Sequence, residues 1–135
     1  MKKNITNKIL MVRPALFAFN EETAVNNYYQ KRDNKTVQEI QNSALIEFDK
    51  MVEKLKSIGI DVKVIQDTKE PHTPDSIFPN NWFSTHYSNT VVLYPMFAEN
   101  RRLERTDRIY DFFDNVDDLN VVDYSSLENE NIFLE

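Results

Sequence analysis

The chain has 135 residues, 41% hydrophobic and 28% charged, which suffices for one ordinary globular core and makes a single domain the expectation. Its formal net charge of -6 argues against a nucleic-acid partner, because such binders gather Lys and Arg to neutralise phosphates, and it leaves small polar ligands open. Cysteine is absent, which excludes disulfides, thiolate metal sites and a cysteine nucleophile within these residues.

The opening MKKNITNKILMVRP starts with lysines, but the apolar run behind them is too short for a signal core and no long apolar segment follows. A cytoplasmic chain without membrane contact is expected. KILMVR (8–13) reads as a strand stopped by Pro14, and ALFAFNEETAVNNYYQKRDN (15–34) as a long ordered loop. From Val37 to Ile58 the apolar positions Ile40, Ala44, Phe48, Met51, Val52, Leu55 and Ile58 recur at three and four, one face of an amphipathic helix. Gly59, the one glycine of the chain, stands where a helix needs a left-handed terminal residue, and the strand IDVKVIQ follows it. After the turn KEPHTP come a strand from Phe78 to His86 and another at TVVLYP, joined by the YSN turn. A second helix is predicted from Arg101 to Phe113 on Leu103, Ile109, Phe112 and Phe113, then a strand at NVVDY.

The joints SIGIDVKVIQD and NVDDLNVVDYS, roughly sixty residues apart, share a shape, which is the mark of a repeated supersecondary unit. The chain closes on SSLENENIFLE, where a new strand is due, so the expectation is the front part of a longer design. One stretch stands out. PDSIFPNNWFSTH (74–86) is too polar for an ordinary buried strand and too aromatic for an ordinary exposed loop. Of the two histidines, His72 and His86, neither has a metal-binding spacing, and neither a metal nor a cofactor is expected.

The segments MVRPALFAFNEETAVNNYYQ, PDSIFPNNWFSTH, VVLYPMFAENRRLER and the terminal FLE, in that order, resemble the pentein superfamily of guanidino-modifying enzymes. They look most like its bacterial amidinotransferase-like branch, which hydrolyses citrulline. The resemblance implies an α/β fold of repeated ββαβ units, the blades of a five-bladed α/β propeller. Residues 1–135 would be the N-terminal portion of a single pentein domain, its first two blades or so. Open strand edges on such a piece are expected to favour self-association.

In that family a cysteine attacks the guanidino or ureido carbon, a histidine moves protons and an acid holds the histidine. The cysteine and histidine have no counterpart in this chain, whereas the acid matches Glu135, whose carboxylate would fix the imidazole tautomer. Asp75 matches the substrate-binding aspartate, and a carboxylate can accept two N–H bonds from a planar guanidinium or ureido group; the local alternative is a turn after Pro74. Asn80 and Asn81 stand where guanidinium-binding relatives have acids. An amide pair suits a neutral ureido group, which offers both donors and an acceptor, although asparagines also serve turns.

Arg101 matches an arginine that takes the α-carboxylate, and a guanidinium fork suits that task. Arg102 and Arg105 read as a solvated helix face, His86 as a structural hydrogen bonder, and Trp82 and Phe83 as core. Asn20, Thr23 and Asn27 match a family-typical stretch over the cleft, with helix capping as the alternative. The expected partner is an amino-acid substrate, citrulline or an arginine derivative, and the expected function is the N-terminal part of a hydrolase of its ureido or guanidino carbon. The competing reading is a catalytically silent fragment or paralogue that binds an amino acid or a partner chain.

Overall fold

Thr36 and Gly59 delimit the longest element, α1 (Val37–Ser57). The Thr36 hydroxyl accepts from the Glu39 backbone N–H, and the Glu39 carboxylate reaches back to the Thr36 N–H at 2.8 Å, a complete capping box. At the other end Gly59 adopts φ 88. Its N–H donates to the Lys56 carbonyl and the Ile60 N–H to the Leu55 carbonyl, both at 3.1 Å, so two carbonyls left over by the helix are satisfied. Among the described residues nothing lies within 4 Å of where a Gly59 Cβ would sit. Gly59→Ala should therefore cost only backbone strain, about 1 kcal/mol of unfolding free energy by denaturant titration; a loss several times larger would mean that side-chain space matters there.

The structure, a computed structural model, describes residues 6–25, 27–28, 34–113 and 116–134. Strand β1 (Lys8–Arg13) runs parallel to β2 (Asp61–Gln66) in a register from Lys8↔Asp61 to Arg13↔Gln66, with α1 as the crossover. Strands β3 (Phe83–His86), β4 (Thr90–Leu93) and β5 (Asn120–Asp123) form a second sheet, β3 antiparallel and β5 parallel to β4. β1 is apolar on both faces because it lies between two layers. Ile9 and Met11 pack with Phe48, Val52 and Val62 under α1, while Leu10 packs with Trp82, Phe83, Val91, Leu93, Met96 and Ile109 on the other side. Arg13 clasps Asp49 of α1 through two 2.8 Å bonds, which hold the Asp49 carboxyl below and the guanidinium above their ordinary pKa ranges. The Asp49 side chain is 49% exposed, so screening limits that pair to about 1 kcal/mol or less.

Trp82 and Phe83 are core, as expected, but three expected elements differ. The strand begins at Phe83 rather than Phe78, because Pro79 lacks the N–H a ladder needs; residues Pro79–Asn81 instead make a 3-10 turn, with the Asn81 N–H on the Phe78 carbonyl and the Trp82 N–H on that of Pro79. The helix expected over 101–113 is a single turn, α2 (Glu99–Arg102), followed by a 3-10 stretch at Asp107–Phe113. Between Leu103 and Ile109 no apolar residue maintains the helical period, and the arginine side chains fold onto carbonyls: Arg102 onto those of Met96 and Phe97, Arg105 onto that of Tyr94. The terminal SSLENE is likewise a 3-10 turn (Ser125–Glu130), and no strand forms over 132–134. The outcome is a small α/β fold with two sheets and few helices, consistent with a partial pentein-like architecture. Among the described residues no helix is long and apolar enough to cross a membrane.

Candidate functional site

The register of β1 and β2 brings their carboxyl ends together, and Asp67 extends the ladder by donating its N–H to the Arg13 carbonyl at 3.0 Å. The Asp67 carboxylate accepts from the Ser76 hydroxyl at 2.7 Å and the Thr73 hydroxyl at 3.3 Å. It thereby pins the two residues that flank Pro74 and Asp75. In the second sheet the Tyr94 N–H donates to the Trp82 carbonyl at 2.9 Å, so the segment entering β3 lies beside the carboxyl end of β4. Residues 73–82 thus cross from the carboxyl end of one parallel pair to that of the other, the position where open α/β sheets hold ligands.

Asp75 is buried at 9% exposure and does more than make a turn. Its Oδ2 accepts from Asn20 Nδ2 at 2.7 Å and from Thr23 Oγ1 at 3.0 Å. Asn20 and Asn100 exchange side-chain bonds, 3.2 Å in one direction and 2.8 Å in the other, and Glu22 accepts from the Asn100 N–H at 2.9 Å. The loop therefore folds over Asp75 through its residues 20–23, with Gln41 of α1 anchoring its start by donating to the Pro14 carbonyl at 3.1 Å and accepting from the Phe17 N–H. Asn20 does both tasks, since its Oδ1 also caps the turn over 21–25 by accepting the Glu22 N–H at 3.1 Å, while Thr23 donates to the aspartate.

Asn80 and Asn81 sit on the 3-10 turn, Asn80 exposed and Asn81 half-buried. Asn80 borders a different hollow from Asp75, and Ile77 lines both. Asp75 borders one of about 710 Å³ between the loop, α1 and Phe78, with Glu47 and Lys35 on its wall, whereas Asn80 borders an open trough of about 1120 Å³ between the sheets, beside Ser84 and His86. His86 is exposed and lies 2.7 Å from the Ser84 hydroxyl, in line with a structural bond.

Arg101 is buried, and its fork is met by Glu104 at 3.0 and 3.1 Å, with a third bond to the Phe78 carbonyl at 3.1 Å. Arg102 and Arg105 correct the reading of a solvated face: both converge on Glu128, Arg105 through bonds of 2.6 and 2.9 Å and Arg102 at 3.5 Å. Glu128 also takes the Met96 N–H at 2.8 Å, and the Phe133 ring packs against Phe97 beneath Arg102. This latch lays the terminal segment along the end of β4, where the Leu134 N–H donates to the Pro95 carbonyl at 3.2 Å. Glu135 lies outside the described residues, as does the end of the loop at 29–33. Among the described residues no group of three His, Asp or Glu side chains is placed to hold a metal ion.

Asp67, Asn100, Glu104 and Glu128 carry much of this architecture, and composition did not single them out. Asp67 alone had a usable signal, as a carboxylate directly after a strand that enters a parallel pair. Compared with protein-family models, residues 13–135 match the one described as N,N dimethylarginine dimethylhydrolase, eukaryotic. No curated protein and no solved structure gives a significant match.

Proposed function

The chain belongs to the N,N dimethylarginine dimethylhydrolase family, and from that membership we propose that it is the N-terminal portion of a pentein hydrolase acting on the guanidino or ureido carbon of an amino acid. The family points to a hydrolase of the methylated guanidino group of arginine. The finer reading is a citrulline-type substrate, as in the amidinotransferase-like branch of penteins, and the two-of-five-blade organisation is part of the same proposal. The observation that carries it is Asp75, a carboxylate held by a dedicated set of donors at the strand ends, on a turn that continues into two amides rather than two acids.

In this reading Asp75 accepts substrate N–H groups, and the ureido group, lying over Ile77 where the Asp75 cleft and the trough adjoin, meets Asn80 and Asn81. Glu135 holds the catalytic histidine, which with the cysteine comes from outside these residues. Arg101 enters differently from the expectation of an α-carboxylate fork, since its guanidinium is engaged by Glu104; its bond to the Phe78 carbonyl supports a role in fixing the turn before Asn80. A cytoplasmic location and pairing through the open sheet edges complete the proposal. The absence of cysteine favours one second reading, a binding module that does not cleave its ligand.

NMR titration of the 135-residue chain with L-citrulline and N-methyl-L-arginine tests the substrate. Asn80→Asp or Asn81→Asp should weaken citrulline binding about ten- to hundredfold, because an acceptor-only carboxylate left facing the ureido oxygen costs about 1–3 kcal/mol. The methylarginine should lose less or gain, since the new charge meets a cation. Equal losses for both ligands would reduce the asparagines to backbone support and remove the case for a neutral substrate.

A further inference from the structure

We infer that Asn20 and Thr23 are positioning residues that make Asp75 a one-oxygen acceptor and so set which planar groups it favours; this rests on the reading of Asp75 as a ligand-binding carboxylate. Oδ2 receives Asn20 Nδ2 at 2.7 Å and Thr23 Oγ1 at 3.0 Å, which occupies both of its lone pairs. Asn20, 1% exposed, is not free to swing away. Its own Oδ1 takes the Glu22 N–H at 3.1 Å and Asn100 Nδ2 at 2.8 Å, so loop, aspartate and the start of α2 share one network. Among the described residues no donor meets Asp75 Oδ1, and this atom is not a sealed, unpaired one; it is the oxygen presented to a ligand.

A fork of two parallel N–H···O bonds needs both carboxylate oxygens, and charge assistance makes it worth more to a guanidinium than to a neutral ureido group. With Oδ2 occupied, either ligand donates to Oδ1 alone. The advantage of the cation shrinks at Asp75, and discrimination passes to the asparagine pair. The loop is thus a specificity device for the aspartate beneath it.

Thr23→Val keeps the shape of the side chain, removes one donor from Oδ2 and opens a second acceptor site, whereas Thr23→Ser retains the hydroxyl. By NMR titration of the 135-residue chain, Thr23→Val should shift the affinity ratio toward N-methyl-L-arginine over L-citrulline by about five- to tenfold. Thr23→Ser should keep the parent ratio, although both variants alter packing. If Thr23→Val does not fold, Thr23→Ala carries the same test. A folded valine or alanine variant with the parent ratio would overturn the inference and leave the proposed function intact. Binding of neither ligand to the parent chain, or binding unaffected by Asp75→Asn, would overturn the reading of Asp75 and the inference with it.

Discussion

Replacing Glu104 by alanine is expected to lower the unfolding free energy by about 3–5 kcal/mol, a large share of what a small domain possesses. The Arg101 and Glu104 side chains are 4% and 1% exposed, and their contact is a two-bond fork across the end of α2. Removing the carboxylate leaves a guanidinium that cannot shed its charge in a site water scarcely reaches, bonded to the Phe78 carbonyl but without its counter-ion. Denaturant unfolding measures the loss. The pair itself need not be stabilising, since its attraction competes with the desolvation of both ions. Arg101→Leu combined with Glu104→Leu should accordingly recover most of the stability lost in Glu104→Ala. A single variant within about 1 kcal/mol of the parent would mean that water reaches the pair freely.

That pair also shows where sequence reading stops. In ENRRLER the charges follow one another without a period, and such a run ordinarily faces solvent; nothing local says that Arg101 is buried against a partner three residues on while Arg102 and Arg105 reach Glu128. α1 was legible because each of its signals is local: the three-and-four spacing, Thr36 with Glu39, and Gly59 at the end. β1, β2, β4 and β5 were legible from short β-rich runs punctuated by turns, and the YSN turn is made by Ser88 and Asn89, both at positive φ.

The site was legible only in part. Asp75 could be singled out through resemblance, but its donors come from 55 and 52 residues away, a separation no local pattern spans. Long-range contacts of this kind decide whether an aspartate is a turn-former or a held carboxylate. The overextended strand before Phe83 has a simpler cause, since Pro79 in a run that otherwise looks extended already argued for a break.

The isolated 135-residue chain should release no ammonia from citrulline or arginine, and no methylamine from methylated arginine, above a heat-treated control in metal-free buffer. Splitting these resonance-stabilised groups requires addition to a poorly electrophilic carbon, which the pentein resemblance assigns to a thiolate, and the chain contains no cysteine. Among the described residues the hydroxyl that resembles an activated nucleophile is that of Ser84, 2.7 Å from His86 Nε2 and equally close to the Tyr94 hydroxyl. It lines the trough between the sheets together with Asn80, whereas Asp75 borders the other cleft. Binding without turnover is the expected behaviour, and the affinity differences predicted for Asn80, Asn81 and Thr23 remain measurable because no reaction depletes the ligand. Ammonia above the control would defeat this expectation. If it vanished in Ser84→Ala, that hydroxyl would be the nucleophile and the trough, not the Asp75 cleft, the reacting site.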